Sequence, residues 1–126
     1  MRPPIDHVIS FLPCRDLAAQ DDFYLRLLGL TMNLDQNTCR IYGVVSGASI
    51  GFCTGLEPIA PTDQVILTFV TDQLESWHDF LTAQGVQLDG APRHNPQFQI
   101  DHFFAQDPAG YRIEFQTFTD PRWNPK

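Results

Sequence analysis

The chain has 126 residues, which is enough for one compact domain and too few for two ordinary ones. Its formal net charge is −7, and because an acidic surface repels phosphate groups, nucleic acids and anionic membranes are disfavoured as partners. Hydrophobic residues make up 43% of the chain and include ten Phe, so a packed core can form without a metal or a disulfide.

Three cysteines, Cys14, Cys39 and Cys53, form no CxxC pair. The sequence shows no signal peptide, and it lacks the run of ~20 apolar residues that spans a bilayer. We therefore expect a cytoplasmic protein with reduced thiols, and a Cys39–Cys53 disulfide is the alternative.

The first half of the chain predicts a strand, a helix and three further strands. Residues 7–12 are an apolar, β-prone run. A helix follows from the N-cap candidate Asp16 to about Leu28, and Gly29 suits its left-handed C-terminal cap. Strands are predicted at about residues 32–34, 39–45 and 48–54, with a hairpin turn at Ser46-Gly47.

The second half repeats this order. Residues 65–70 are again apolar and β-prone, and a helix is predicted from Asp72 to a stop at Gly85. The buried face of that helix is predicted to consist of Leu74, Trp77, Phe80 and Leu81. Strands are predicted at about residues 87–88, 99–105 and 111–118, with a turn at Asp107-Pro108-Ala109-Gly110.

These elements define an internal βαβββ repeat. The single domain divides into repeat one at about 4–55, a linker at 56–63, repeat two at about 64–119 and a tail at 120–126. The alignment of the copies places His7 over Val65, and residues 50–54 over 113–117. We predict an α+β fold in which two βαβββ repeats form a curved mixed sheet, a cup with the helices on its outer face. Small-molecule sites prefer such concavities.

Two motifs carry a resemblance to a known family. The first is the helix close Phe23-Tyr24 followed by Leu28-Gly29-Leu30, and the second is the run Asp-Pro-Ala-Gly-Tyr-Arg-Ile-Glu-Phe at residues 107–115. Together with the repeat length, they make nearly the whole chain resemble the vicinal-oxygen-chelate superfamily of glyoxalases, bleomycin resistance proteins and dioxygenases. The resemblance implies a small-molecule ligand and a homodimer, and whether the cup is completed within one chain or across the dimer stays open.

The resemblance also implies where a metal would bind. Metal-using members hold a divalent cation at the start and at the last strand of each repeat, which correspond here to His7, Gly51, Val65 and Glu114. His7 and Glu114 are therefore the candidate ligands for one cation, Zn, Fe, Mn or Ni, and Glu114 is the candidate catalytic residue. A usual open catalytic site supplies three protein ligands, and further candidates are Cys53 and His102.

Strand alternation places Arg112, Glu114 and Gln116 on one face. The candidate ligand-binding residues are Phe11, Phe52, Phe69, His102, Arg112 and Gln116. Such aromatic side chains suit a flat or apolar molecule whose polar groups meet Arg112 and Gln116. The structural alternatives are ordinary core aromatics, a hydrogen-bonded strand histidine at His7, and a Glu114 carboxylate that is paired by Arg112 or His7.

Three functions follow from these residues. The preferred one is a glyoxalase- or bleomycin-resistance-like protein that binds a small, partly apolar molecule in its cup without a complete metal site. The alternative is a metal-dependent lyase, isomerase or dioxygenase in which His7 and Glu114 help to chelate vicinal substrate oxygens. Apolar residues at two of the four ligand positions argue against glutathione-dependent glyoxalase activity. A third possibility is a structural or regulatory domain.

Overall fold

The computed structural model describes residues 1–125, which form two compact units, Met1–Ala60 and the chain from Pro61 onward. Each unit contains a helix and a four-stranded mixed sheet, so the predicted α+β class and the two βαβββ copies are confirmed. The boundary falls inside the predicted linker. None of the helices in residues 1–125 is long and apolar enough to cross a membrane.

The first unit begins with strand β1 and ends with strand β4. Its elements are β1 (Val8–Pro13), helix α1 (Leu17–Asp21) that continues as a π-helical segment (Asp22–Leu27), β2 (Thr31–Asp35), β3 (Cys39–Val45) and β4 (Ala48–Cys53). The sheet order is β1-β4-β3-β2, with β1 parallel to β4 and the other neighbours antiparallel. Asp16 caps α1 as predicted, because its carboxylate accepts a hydrogen bond from the Ala19 N–H at 3.1 Å.

Aromatic rings hold the helix of the first unit on its sheet. Tyr24 on the π-helical segment, Tyr42 on β3 and Phe52 on β4 are all fully buried, and the Tyr24 and Phe52 ring centroids lie 5.0 Å apart. At the edge of this core, Asp21 accepts hydrogen bonds from the Tyr42 hydroxyl at 2.6 Å and from Arg40 Nη1 at 2.5 Å. The polar end of a buried tyrosine is thus satisfied, as burial requires.

The second unit has the same strand order, β5-β8-β7-β6. Its elements are a 3₁₀ turn (Thr62–Gln64), β5 (Ile66–Val70), helix α2 (Leu74–Ala83), β6 (Arg93–Asn95), β7 (Ile100–Gln106) and β8 (Arg112–Phe118). Helix α2 begins two residues after the predicted Asp72 and ends before Gly85, whose φ of 80° is the left-handed cap that we predicted. Its helix-side core includes an aromatic cluster of Phe69, Trp77, Phe103 and Phe115, with Phe103 stacked on Phe115 at 5.2 Å. Of the predicted helix face, Leu74 and Leu81 are buried, whereas Phe80 is 42% exposed, so its predicted burial is wrong.

One predicted strand is wrong. Residues 87–88 form no strand, and the edge strand of the second sheet is β6 instead. Gly90, with a φ of 132°, and Pro92 interrupt any ladder before β6 begins. Asp89 is tied to β7 all the same, because its N–H donates to the Phe104 carbonyl at 3.1 Å and its carboxylate accepts the Phe104 N–H at 2.8 Å.

The expectation of reduced thiols is wrong for one cysteine pair. Cys39 on β3 lies directly opposite Cys53 on β4, with their Cα atoms 4.1 Å apart, and a disulfide joins them. The sequence spacing left this pairing open, and the antiparallel register of the two strands decides it.

The register also corrects the alignment of the two repeats. Phe11 pairs with Gly51 in the first sheet, and Thr68 pairs with Glu114 in the second. Since Gly51 and Glu114 are equivalent positions in the repeat, Phe11 corresponds to Thr68 and not to Phe69. His7 therefore corresponds to Gln64, one residue before the predicted Val65. A slip of one residue moves every side chain of a strand to the other face of the sheet.

Candidate functional site

Glu114 lies in the middle of β8, on the sheet face that points away from α2. Its neighbours Ile113 and Phe115 are buried towards the helix, so alternation turns Glu114 to the other face, and its side chain is 11% exposed. The turn at residues 107–110 sets this register, since the Asp107 carboxylate accepts the N–H of Tyr111 at 2.9 Å just before β8. We call this side of the second sheet the open face.

Three donors satisfy the Glu114 carboxylate. Thr68 Oγ1 donates to Oε1 at 2.8 Å, and His102 Nδ1 donates to Oε2 at 2.6 Å. With its amide nitrogen turned towards the carboxylate, Gln116 donates to both oxygens, at 3.1 and 3.2 Å. Burial of a lone carboxylate is costly, and these bonds remove most of that cost. Glu114 therefore receives its hydrogen bonds from side chains of its own sheet, and not from Arg112, which was one of the expected partners.

The strand register brings these groups together. Thr68 on β5 pairs with Glu114, and His102 on β7 pairs with Gln116. Laterally paired residues present their side chains on the same face, so the predicted common face of Arg112, Glu114 and Gln116 is confirmed.

His102 has one ring nitrogen committed and one left over. An ionised carboxylate only accepts hydrogen bonds, so next to an ionised Glu114 the donor in this contact is His102 Nδ1. The lone pair of the neutral imidazole then lies on Nε2, which makes no hydrogen bond within residues 1–125. A carboxylate that fixes the tautomer in this way leaves Nε2 as a hydrogen-bond acceptor.

Arg112 lies beside this pair on an aromatic ring. Its guanidinium carbon is 4.1 Å from the centroid of Phe104, and the imidazole of His102 contacts the same ring edge-on at 5.3 Å. Within the described part of the chain, Arg112 has no carboxylate partner. A guanidinium that contacts an aromatic ring and has no carboxylate partner can donate its N–H groups to an oxygen of a bound molecule.

Asp89 and Arg93 form an ion pair near Phe104. Arg93 Nη2 donates to the Asp89 carboxylate at 2.7 Å, and its guanidinium carbon lies 6.0 Å from the Phe104 ring centroid. Burial alone would raise the pKa of Asp89, but hydrogen bonds from Arg93 and from the Phe104 N–H outweigh it, so the pKa lies below its usual value.

Two predicted ligand-binding residues lie elsewhere. Phe52 packs on Tyr24 in the helix-side core of the first unit, and Phe69 packs on Phe115 in that of the second. The orientation that we predicted for them is therefore wrong. For Phe69 the cause is the one-residue slip of the repeat alignment. For Phe52 the cause is strand alternation in β4, because Gly51 faces away from the helix and its neighbour Phe52 therefore faces the helix.

The first unit has its own small cluster around His7. His7 Nε2 lies 2.7 Å from Ser49 Oγ, which also accepts a hydrogen bond from Asn33 Nδ2 at 3.0 Å. The ring of Phe11, which is 46% exposed, lies against Gly51, where an added Cβ would be 2.5 Å from two of the ring carbons. Phe11 thus lies on the side away from the helix, as predicted. The pairing of His7 with Glu114 joins residues of the two units and stays a prediction.

The side chains around Glu114 do not fit a divalent metal. Within residues 1–125 no three His, Cys, Asp or Glu side chains come together as a ligand set. The Glu114 oxygens accept donors from the sheet, and His102 directs its protonated nitrogen at that carboxylate. Cys53, the proposed soft ligand, is part of the disulfide. The donor set is that of a hydrogen-bonded carboxylate.

Sequence reasoning missed Thr68 and Phe104. Thr68 is the one polar side chain of β5. Strand alternation places it on one face with Ile66 and Val70, and the register with β8 then places it next to Glu114. Phe104 lies opposite Glu114 on β7, and no local signal in the sequence distinguishes its face from that of Phe103.

Comparisons with known proteins agree with this fold. The model of the Glyoxalase/Bleomycin resistance protein/Dioxygenase superfamily matches residues 4–115. A glyoxalase/bleomycin resistance protein/dioxygenase from Nocardioides is 16% identical, with a TM-score of 0.78 over 100% of this chain and 91% of that one. A lactoylglutathione lyase from Agrobacterium tumefaciens is 18% identical, with a TM-score of 0.74 over 92% and 96% of the two chains.

TioX from Micromonospora sp. ML1 is 16% identical, with a TM-score of 0.74 over 88% of this chain and 97% of its own. No curated protein matches the sequence. Structural similarity at such low sequence identities shows the fold alone. The match to the sequence model of the family, which covers most of the chain, shows that the chain is a member of that family. The chain belongs to the glyoxalase/bleomycin resistance protein/dioxygenase superfamily.

Proposed function

We propose that the protein binds a small, partly apolar molecule through an oxygen-bearing group, without a complete metal site. The observation that carries this proposal is Arg112, held over the Phe104 ring at 4.1 Å with no carboxylate partner in the described residues. A guanidinium in that position offers charged N–H donors next to an apolar surface.

The neighbouring groups define the ligand further. Phe104 contributes apolar surface next to Arg112, and His102 Nε2 offers a hydrogen-bond acceptor beside it. Glu114 is saturated by its own sheet, so it repels a ligand anion less than an unpaired carboxylate would. An aromatic acid meets the first two of these features, because its carboxylate accepts hydrogen bonds from Arg112 and its ring lies against apolar surface, whereas the acceptor on His102 requires a hydroxyl or N–H group of the ligand. The membership of bleomycin resistance proteins in the family is consistent with a binder.

Calorimetric titration with naphthalene-2-carboxylate tests this proposal. We expect saturable one-site binding, and we expect Arg112→Gln to weaken it about tenfold or more, because a hydrogen bond to a charged group contributes about 1.5–3 kcal/mol. Arg122→Gln is the matched control, since Arg122 forms its ion pair with Asp120 in the tail. Unchanged affinity in Arg112→Gln, or binding of the neutral naphthalene-2-carboxamide with equal affinity, would contradict the proposal.

We also propose that the protein is a homodimer. Strands β1 and β5 each end a sheet, and their exposed residues include Val8, Ile9, Ile66 and Val70. Apolar edge strands favour pairing with another chain, and a second copy is the partner available to every molecule of this protein. Light scattering after size exclusion should give twice the chain mass of 14.3 kDa, and a monomer at micromolar concentration would contradict the proposal.

A further inference from the structure

We propose that Trp123 in the C-terminal tail forms one end of the ligand site on the open face, and that the site takes an elongated, flat aromatic acid whose apolar end contacts this indole. The inference rests on the proposed function, because it extends the same site from Arg112 towards the tail. It assigns a binding role to a residue that lies outside both βαβββ repeats.

Phe118 is the last residue of β8, and its side chain lies on the open face. Side chains alternate along a strand, so Phe118 shares the face of Gln116. It pairs with Ile100 on β7, one row beyond the pair of His102 and Gln116. The open face of the second sheet therefore changes from polar to apolar at this end.

The tail turns back over this apolar end. The Trp123 and Phe118 rings are stacked, with their centroids 3.9 Å apart and their planes 19° from parallel. A main-chain turn places the indole there, because the Trp123 N–H donates to the Asp120 carbonyl at 3.1 Å and the Asp120 carboxylate accepts the main-chain N–H of Arg122 at 2.9 Å. The Arg122 side chain is 83% exposed and the turn does not depend on it, so Arg122→Gln stays a suitable control for Arg112→Gln.

Trp123 keeps apolar surface available for a ligand. Although one side of the indole is covered by Phe118, the residue is 47% exposed. A ligand that removes this surface from water gains free energy through the hydrophobic effect, and contact between aromatic rings adds to it. Because the stack on Phe118 already orders the indole, such a contact costs little further side-chain entropy.

The distance between the charged end and the apolar end of the face sets the length of the ligand. The guanidinium of Arg112 contacts the ring of Phe104, which precedes Arg112 on β7 and lies four residues from Ile100 along that strand. At about 3.3 Å per residue, the rows of Phe104 and Ile100 are about 13 Å apart. A molecule that meets Arg112 with its carboxylate and reaches the indole is therefore elongated, and it passes over His102 and Gln116. Three fused rings in a line match this span better than two.

Calorimetric titration with naphthalene-2-carboxylate and anthracene-2-carboxylate, which differ by one ring, tests the inference. We expect the third ring to strengthen binding about fivefold or more in the unchanged protein, because it reaches the indole. In Trp123→Ala the two acids should bind with affinities within about twofold of each other, and Trp123→Phe should recover most of the gain. Phe80→Ala is the matched control, since Phe80 is 42% exposed on α2, at the other side of the sheet, and this variant should keep the full gain.

The two tryptophans of the chain provide a second readout. Trp77 packs on Phe115 at the helix side of β8, whereas Trp123 lies on the open face, so the indole N–H signals in a ¹H–¹⁵N spectrum report the two sides separately. Anthracene-2-carboxylate should shift the Trp123 indole signal saturably and leave that of Trp77 in place. A shift of Trp77 alone would overturn the inference.

The same titrations separate the two proposals. Binding that depends on Arg112 but gains as much from the third ring in Trp123→Ala as in the unchanged protein overturns the role of Trp123 and leaves the proposed function standing. Absence of saturable binding of both acids to the unchanged protein overturns both.

Discussion

Replacing Glu114 with alanine should destabilise the protein more than removal of any one of its hydrogen-bond donors. The change leaves Thr68, His102 and Gln116 without the acceptor that they share. A hydrogen bond to a charged group contributes about 1.5–3 kcal/mol, and the relieved desolvation of the carboxylate offsets part of the total. We therefore expect a loss of about 2–4 kcal/mol in the free energy of unfolding.

Urea unfolding followed by tryptophan fluorescence measures this loss, because Trp77 packs on Phe115 next to Glu114 in β8. Thr68→Val removes one donor and should cost about 1 kcal/mol. Glu57→Ala, in the exposed linker, should change stability by less than about 0.5 kcal/mol. If Glu114→Ala costs no more than Glu57→Ala, the hydrogen-bonded cluster does not exist in solution.

Three further results are expected. Cys39→Ser/Cys53→Ser should lower the free energy of unfolding by about 3 kcal/mol, since the disulfide closes a loop between residues 14 apart, and equal stability with and without reductant would contradict the bond. The pKa of Asp89 is lowered because hydrogen bonds from Arg93 and the Phe104 N–H outweigh the effect of burial, so the ionised group should stabilise the fold above its unfolded pKa of about 3.9. This stabilisation should be lost as pH falls, and the difference in free energy of unfolding between the unchanged protein and Asp89→Asn should therefore vanish in acid. Purified protein titrated with Zn²⁺, Fe²⁺, Mn²⁺ or Ni²⁺ should show no tight site that depends on Glu114, and a stoichiometric ion lost in Glu114→Ala would favour the metal enzyme instead.

Patterns with a local physical cause were predictable from the sequence. The Asp16 cap, the left-handed Gly85 and the bounds of β3 follow from side-chain capping, backbone sterics and β-prone composition, and the structure confirms each. The Asp107 turn and the alternation of side chains along β8 are equally local. The common face of Arg112, Glu114 and Gln116 was therefore predictable too.

Features that depend on pairing between distant strands were not predictable in the same way. The pairing of Thr68 with Glu114 spans 46 residues, and matching the apolar runs of β1 and β5 by residue type does not give the register of either strand in its sheet. A one-residue error there moved Phe69 to the wrong face and hid Thr68. The disulfide likewise depends on the register of β3 against β4, which cysteine spacing alone does not fix.

Amide chemical-shift mapping with naphthalene-2-carboxylate tests most directly whether the open face of the second sheet is the ligand site. The largest shifts should fall on Thr68, His102, Phe104 and Arg112, and they should saturate together at one dissociation constant. Shifts confined to the helix-side residues or to the tail, or no saturable shifts at all, would contradict the assignment of this face.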